Sequence, residues 1–300
     1  RYGDQQGHLA PWLDAFSQAD LIAWAEGLGQ PTFVGSSGRV FPRAMKASPL
    51  LRAWLARLDD LGVEVRTRSR WTGWDADTLV FETPGGERRE RPTAAVLALG
   101  GASWPRLGSD GAWAPWVEGI GAEVAPLVPA NAGFNVTWSP VLIERFAGAV
   151  VKPALLTFGD RQVRGELVIT RYGIEGGAVY ALSSALRDAI ARDGSAILTV
   201  DLRPDLTETA LAERLARPRG KDSLTNHLRK AGGLSPVAVA LLREIGEVPT
   251  NLEKLAKRIK AIRLKLTGMQ GLERAISSAG GVRFESLDPS LMLRARPGLF

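Results

Sequence analysis

The residues best suited to chemistry in this chain are two glycines, and what they offer is close approach of main chain rather than a reactive side chain. Ala95-Val96-Leu97-Ala98-Leu99 reads as a short apolar strand that runs straight into Gly100-Gly101-Ala102-Ser103-Trp104-Pro105. Without a Cβ the backbone can turn tightly and lie flush against a ligand. A plain turn uses the same pair; what distinguishes this one is its company. Gly38-Arg39-Val40-Phe41-Pro42 and Lys46-Ala47-Ser48-Pro49 lie upstream, and a second pair, Gly280-Gly281-Val282, lies near the C-terminus.

Other chemistries lack their residues. The chain has no cysteine, which removes disulfides, thiolate metal sites, cysteine nucleophiles and dithiol redox shuttles together. Only His8 and His227 are present, too few and too far apart in sequence for a histidine metal site or a Ser-His-Asp system. We read His8 as a solvated loop residue and His227 as a helix-surface residue.

The composition, 45% hydrophobic and 23% charged over 300 residues, describes a globular chain long enough for two or three domains with cores. No run of 18 apolar residues exists, and Arg1-Tyr2-Gly3-Asp4-Gln5-Gln6 lacks the apolar centre of a secretory leader. We therefore expect no membrane span and a cytoplasmic location. Without an initial Met, and with a hydrophobic end at Pro297-Gly298-Leu299-Phe300, the chain reads as an internal fragment. Charge is uneven: 14 Lys/Arg against 8 Asp/Glu lie between Asp201 and Leu266, an excess equal to the net +6 of the whole chain. Such a segment is either a solvated helical face or a surface for an anionic partner.

The elements that must position the glycines alternate at first. A helix is expected over 15–28, and another from Ser48-Pro49, with Ser48 as its cap, through Leu51, Trp54, Leu55, Leu58 and Leu61 to Gly62. Val63–Thr67 follows as a strand, then Leu79–Thr83 with a Pro84-Gly85-Gly86 turn as a small meander, then a buried strand at Val96–Leu99. This order is half of a doubly wound α/β domain. No complete Gly-x-Gly-x-x-Gly occurs; Gly27-Leu28-Gly29 and Gly119-Ile120-Gly121 lack the third glycine. Beyond Pro129, strands are expected at 133–138, 149–158, 162–170 and 196–202, a hairpin turn at Gly159-Asp160, and one helix over 178–191. Helices then take over from Thr207 to Leu266, the last carrying Leu252, Leu255, Ile259, Ile262 and Leu266 on one face. Arg217-Pro218-Arg219-Gly220-Lys221 is a charged turn between two of them. From Leu272 the chain returns to the first domain.

In order along the chain, Gly38–Pro42, Lys46-Ala47-Ser48, Leu97–Pro105, Gly108-Ser109-Asp110-Gly111, Pro126–Ala130, Gly165–Thr170 with Gly173-Ile174-Glu175-Gly176, and Ser278–Val282 resemble the BaiN/RdsA-like, aminoacetone-oxidase-like NAD(P)/FAD-dependent oxidoreductases of bacteria. The resemblance implies α/β plus α+β architecture. A partial glutathione-reductase-like FAD-binding domain (1–128 and 269–300) is interrupted by a β-barrel-like, β-rich domain (129–204) and a helical domain (205–268). It also implies a Gly-rich loop before Arg1 and a flavin motif after Phe300, so the isolated chain is expected to hold FAD weakly and to be inactive alone.

Carried over position by position, the resemblance puts Val65 at the adenine side and Ala98, Gly100 and Gly101 along the dinucleotide, with Gly280 and Gly281 as a further cofactor contact. It puts Arg39, Phe41, Pro42 and Lys46 near the flavin ring. A cation there, Arg39 or Lys46, stabilises the anionic reduced flavin and is the catalytic candidate. Thr170, Gly173 and Gly176 close the substrate side. The sequence departs from the family at Arg171-Tyr172, where a His is usual, and at Gly176-Gly177, where Gly-Pro is usual. No metal is implied.

The function expected is hydride transfer between NAD(P)H, or a reduced small-molecule substrate, and FAD. Two alternatives stay open. One is flavin-dependent reduction of a ribosomal RNA uridine, gripped through the basic segment 214–265, although no stacking aromatic lies between Thr207 and Leu266. The other is a non-catalytic binding module. Trp104, Trp113 and Trp116 crowd the loop after the glycine pair and read as core.

Overall fold

Local signals in the sequence set most of the elements of this computed structural model, which describes residues 5–35 and 38–300. The N-terminal reading at Arg1–Asp4 lies outside the described residues. Contacts divide the chain into two compact units, Arg1–Ala95 and Val96–Phe300. The expected β-rich, helical and return segments all fall in the second unit, together with 96–128. Among the described residues, no helix is long and apolar enough to cross a membrane.

The first unit runs α1 (Gln6–Ala15), α2 (Gln18–Gly27), β1 (Thr32–Val34), β2 (Val40–Pro42), α3 (Ala47–Asp60), β3 (Arg70–Asp75), β4 (Thr78–Thr83) and β5 (Gly86–Glu90). β1 and β2 form an antiparallel pair, and β3, β4 and β5 form the expected meander. The helix expected over 15–28 begins later, because Ser17 and Asp20 close a reciprocal capping box; α1 was not foreseen. α3 also corrects an expectation. Lys46 is the extended residue before it, with no side-chain cap, and Ser48 is already inside the first turn and caps nothing. Gly62, at φ +73°, ends the run in the left-handed region. The apolar stripe of α3 is largely open: Leu51, Trp54, Leu55 and Leu61 are all exposed.

Two expected strands join no described sheet. Among the described residues Val63–Thr67 and Val96–Leu99 belong to no ladder, and Val65 and Val96 are 55% and 75% exposed. A buried parallel strand needs main-chain partners beside it and cover on both faces. Every strand pairing described here is antiparallel, and none includes these stretches.

The second unit runs α4 (Ala114–Gly119), β6 (Val124–Asn131), β7 (Phe134–Asn135), α5 (Pro140–Phe146), β8 (Val150–Phe158), β9 (Arg161–Ile169), β10 (Gly173–Glu175), α6 (Gly177–Asp193), β11 (Ala196–Asp201), α7 (Glu208–Leu215), α8 (Leu224–Lys230), α9 (Pro236–Glu244), α10 (Leu252–Lys260), β12 (Ile262–Leu266), β13 (Gly268–Met269) and β14 (Ser277–Val282). Seven strands form one sheet in the order β12-β11-β8-β9-β10-β7-β13. The β8–β9 hairpin turns at Gly159, φ +59°, as its sequence requires. Leu182 and Leu186 of α6 are buried in one core with Leu156, Leu167 and Leu198 of the sheet. A separate antiparallel ribbon joins β14 to β6, with Ser278 opposite Pro129 and Ala279 opposite Val128.

The apolar run from Leu252 is not one helix. α10 stops at Lys260, and Ile262-Arg263-Leu264-Lys265-Leu266 pairs with β11 with strictly alternating burial. Five residues alternating apolar and cationic fit a strand period as well as a helical stripe, and the free edge of β11 decides between them. His227 is likewise corrected from the surface to the interior: it is 8% exposed, with Nε2 2.9 Å from the Leu215 carbonyl.

At the α10–β11 junction Lys260 Nζ donates to Asp201 Oδ2 at 2.7 Å and to the carbonyls of Arg203 and Leu206 at 2.9 and 2.5 Å. Both charged side chains are largely buried. Removing the ammonium leaves a carboxylate and two carbonyls without their donor. Lys260→Ala is expected to lower the unfolding free energy by about 3 kcal/mol, read as a shift of the urea midpoint at unchanged slope; an unmoved midpoint would refute the role given to the pair.

Candidate functional site

Three remote segments of the second unit converge on the glycine pair. Gly100 has φ +74°, and a Cβ on it would lie 2.9 Å from Ser109 Oγ. A Cβ on Gly101 would lie 2.0 Å from Ser278 Oγ, closer than any real contact. The hydroxyl of Ser278 accepts the Ala102 N–H at 2.8 Å. Trp113 Nε1–H donates to the Gly100 carbonyl at 3.0 Å, and Trp104 Nε1–H donates to the Ile276 carbonyl at 3.2 Å. These two tryptophans pin the turn, and Trp104 is 54% exposed rather than core.

Gly280 and Gly281 belong to the same convergence. Gly280, φ +96°, lies where a Cβ would meet the Pro126 carbonyl at 2.2 Å, so its role is to let β14 lie against β6. Gly281, φ +107°, has only the edge of Trp113 near its Cβ position, at 3.9 Å. The two glycine pairs are thus brought together through Ser278 and Trp113. The reason for Gly101 is internal: the space its side chain would fill is taken by Ser278. The open main chain lies just before it. Ala98, Leu99 and Gly100 are exposed, and their amides donate to no other described residue, while Leu97 N–H donates to the Phe300 carbonyl at 2.7 Å.

Thr170, Gly173 and Gly176 form a second cluster at the β9–β10 turn and the start of α6. Gly173, φ +151°, has the Phe134 carbonyl 2.0 Å from its Cβ position, and Gly176, φ +115°, has the Glu166 carbonyl at 3.0 Å. Thr170 Oγ1 accepts the Gly173 N–H at 3.1 Å, and the buried Trp138 donates to the Gly173 carbonyl at 3.0 Å. This rigid turn presents Tyr172, whose hydroxyl donates to Glu175 Oε2 at 2.5 Å, while the Arg274 guanidinium lies 5.0 Å from the Tyr172 ring centre. Burial and the bond to Glu175 push the Tyr172 phenol up to about 12; burial, then the Glu175 charge, raise Tyr180 as well. The arrangement keeps two phenols neutral beside one carboxylate. Tyr172, Glu175 and Arg274 had no sequence role, although the departure from the family pattern at Arg171-Tyr172 marked the place.

The remaining predicted residues sit in the first unit. Phe41 and Pro42 are half-buried on β2, with Phe41 5.9 Å from the Phe33 ring, while Arg39 is exposed in the turn before it. Lys46 is exposed at the N-terminal end of α3, where a cation opposes the helix dipole. Val65 is exposed on unpaired main chain. In the basic segment, Lys230 is paired with Asp222 and Arg243 donates to Thr225, while Lys254, Lys257, Arg263 and Lys265 face solvent. Among the described residues no cluster of His, Asp or Glu could hold a metal ion.

The raised phenol gives a sign that can be checked. Its contribution to stability is fully present below pH ~10 and is lost as pH rises through about 12. In an alkaline ultraviolet titration of the folded protein, Tyr172→Phe is expected to remove the latest tyrosinate step. Glu175→Gln is expected to move that step down. A Tyr172 that ionises near pH ~10, as a free phenol does, contradicts the Glu175 contact.

All 300 residues of the chain match the HI0933-like protein Rossmann domain. A similar protein is the 3-dehydro-bile acid delta(4,6)-reductase of Clostridium scindens, 24% identical over 304 residues that cover 96% of this chain and 74% of that protein. Matched from end to end, the chain belongs to the HI0933-like Rossmann family.

Proposed function

We propose that this protein is an FAD-dependent oxidoreductase that moves hydride between NAD(P)H, or a reduced small-molecule substrate, and the flavin. The observation that carries this reading is the exposed, unpaired main chain at Ala98–Gly100, ending in a bend that Ser278 and Trp113 hold in place. Amides with no partner among the described residues suit the oxygen atoms of a dinucleotide, and the rigid bend limits the ordering cost of binding. The fit is through this open edge. Gly101 is turned to Ser278 and anchors the end of the edge.

In this reading Ala98 and Gly100 line the dinucleotide, Gly281 leaves space beside Trp113 where a side chain would stand, and Gly101 and Gly280 let the supporting segments approach. Arg39, Phe41, Pro42, Lys46 and Val65 keep the roles that the family resemblance gives them, with Arg39 or Lys46 as the cation that stabilises a reduced flavin. The bound flavin would supply a two-electron acceptor and donor. Thr170, Gly173 and Gly176 shape the substrate side, where Tyr172 and Glu175 add a neutral donor and a carboxylate. The relative's name describes reduction of unsaturated bonds in a small molecule, and a small unsaturated or amine substrate is the class we assign here. No observation favours the RNA alternative, since several of the basic residues are spent on internal partners.

The test is spectroscopic. Full-length protein is expected to be yellow, with absorbance near ~450 nm that NADH or NADPH bleaches without oxygen and that returns on admitting air or an acceptor substrate. A colourless protein that takes up no added FAD would overturn the assignment.

A further inference from the structure

The structure leaves one polar group beside the glycine bend half used. Ser278 Oγ accepts the Ala102 N–H at 2.8 Å and sits over the bare Cα of Gly101. Its own proton has no acceptor among the described residues. The neighbouring Ser277 differs, since its hydroxyl donates to Asn131 Oδ1 at 2.6 Å. Two serines side by side on β14 are therefore used in opposite ways among the described residues: Ser277 gives its proton to Asn131, and Ser278 accepts from Ala102 and gives its proton to none. A hydroxyl oriented by an accepted bond is a preorganised donor, because the cost of fixing its position is already met by the fold.

Its surroundings point the same way. Ser278 is only partly buried, and it touches the bend that ends in the unpaired amides of Ala98–Gly100. An apolar side chain of its size would cover Gly101 as well but would leave the amide of the buried Ala102 without its acceptor.

We propose that Ser278 is a cofactor-binding residue, whose hydroxyl donates a hydrogen bond to an oxygen of the dinucleotide held along Ala98–Gly100. This rests on the FAD reading above. The acceptor oxygen belongs either to the pyrophosphate or to the flavin ring, two sources of the same chemistry.

The experiment measures FAD and ADP affinities of the full-length wild type, Ser278→Ala and Ser278→Cys, together with the melting temperature of each apoprotein. Ser278→Ala is expected to weaken FAD about tenfold, the loss of one hydrogen bond to a polar or charged acceptor, while the apoprotein melts within a few degrees of wild type. Ser278→Cys keeps the volume and the cover over Gly101 but has a poor donor; it is expected to weaken FAD as well, and it serves if the alanine variant does not fold. A parallel loss of ADP affinity places the contact at the pyrophosphate, and a loss for FAD alone places it at the flavin; both support the proposal. Unchanged FAD affinity in both variants, with or without a drop in melting temperature, overturns it and leaves the flavin reading standing. A wild type that binds no FAD overturns the flavin reading and the proposal together.

Discussion

A serine hydroxyl resting on a glycine Cα is the contact on which the candidate site depends. Gly101 and Ser278 are far apart in sequence, and their approach leaves no room for any side chain on Gly101. The contact fixes three things at once. It holds the bend after Leu99, it satisfies the Ala102 amide, and it ties residues 100–102 to the β6–β14 ribbon. Trp113 and Trp104 add two indole hydrogen bonds to the same joint. With residues 100–102 fixed, the exposed main chain at 98–100 is held at one end.

The second cluster follows the same logic with different groups. Gly173 and Gly176 give up side chains so that main chains can touch, and the turn they build is stiff enough to hold a phenol against a carboxylate. Burial raises the cost of charge on Tyr172, and Glu175 raises it further, so the phenol remains neutral over the whole physiological range. The energetic foundation lies below both clusters, in the seven-stranded sheet and α6, whose leucines and isoleucines are almost wholly out of water.

Much of this was legible in the sequence, for local reasons. The β3–β5 meander, the β8–β9 hairpin and α6 are written in period and turn chemistry, and those signals need no information from elsewhere. Errors arose where a distant partner decides. Val63–Thr67 and Val96–Leu99 have strand composition, but a strand exists only where another chain segment pairs with it. Ile262–Leu266 satisfies both helical and strand periods, and the edge of β11 resolves the tie. Ser48 before Pro49 has the composition of a cap, yet the backbone turns helical two residues sooner. At the site, the glycines could be singled out as positions of close approach, but what approaches Gly101 and Gly280 in the structure is Ser278 and the Pro126 carbonyl. Ser278, Tyr172, Glu175 and Arg274 could not be, because each acquires meaning only from a residue it meets in space.

The account stands on one bend with an internally bonded end at Ala102 and an exposed stretch at 98–100 proposed to meet the cofactor, and hydrogen exchange at single-amide resolution tests both together. The Ala102 amide is predicted to exchange slowly with or without FAD, whereas the amides of Ala98, Leu99 and Gly100 exchange fast alone and slow on adding FAD. Fast exchange at Ala102 in the apoprotein, or no change at 98–100 when FAD binds, would contradict it.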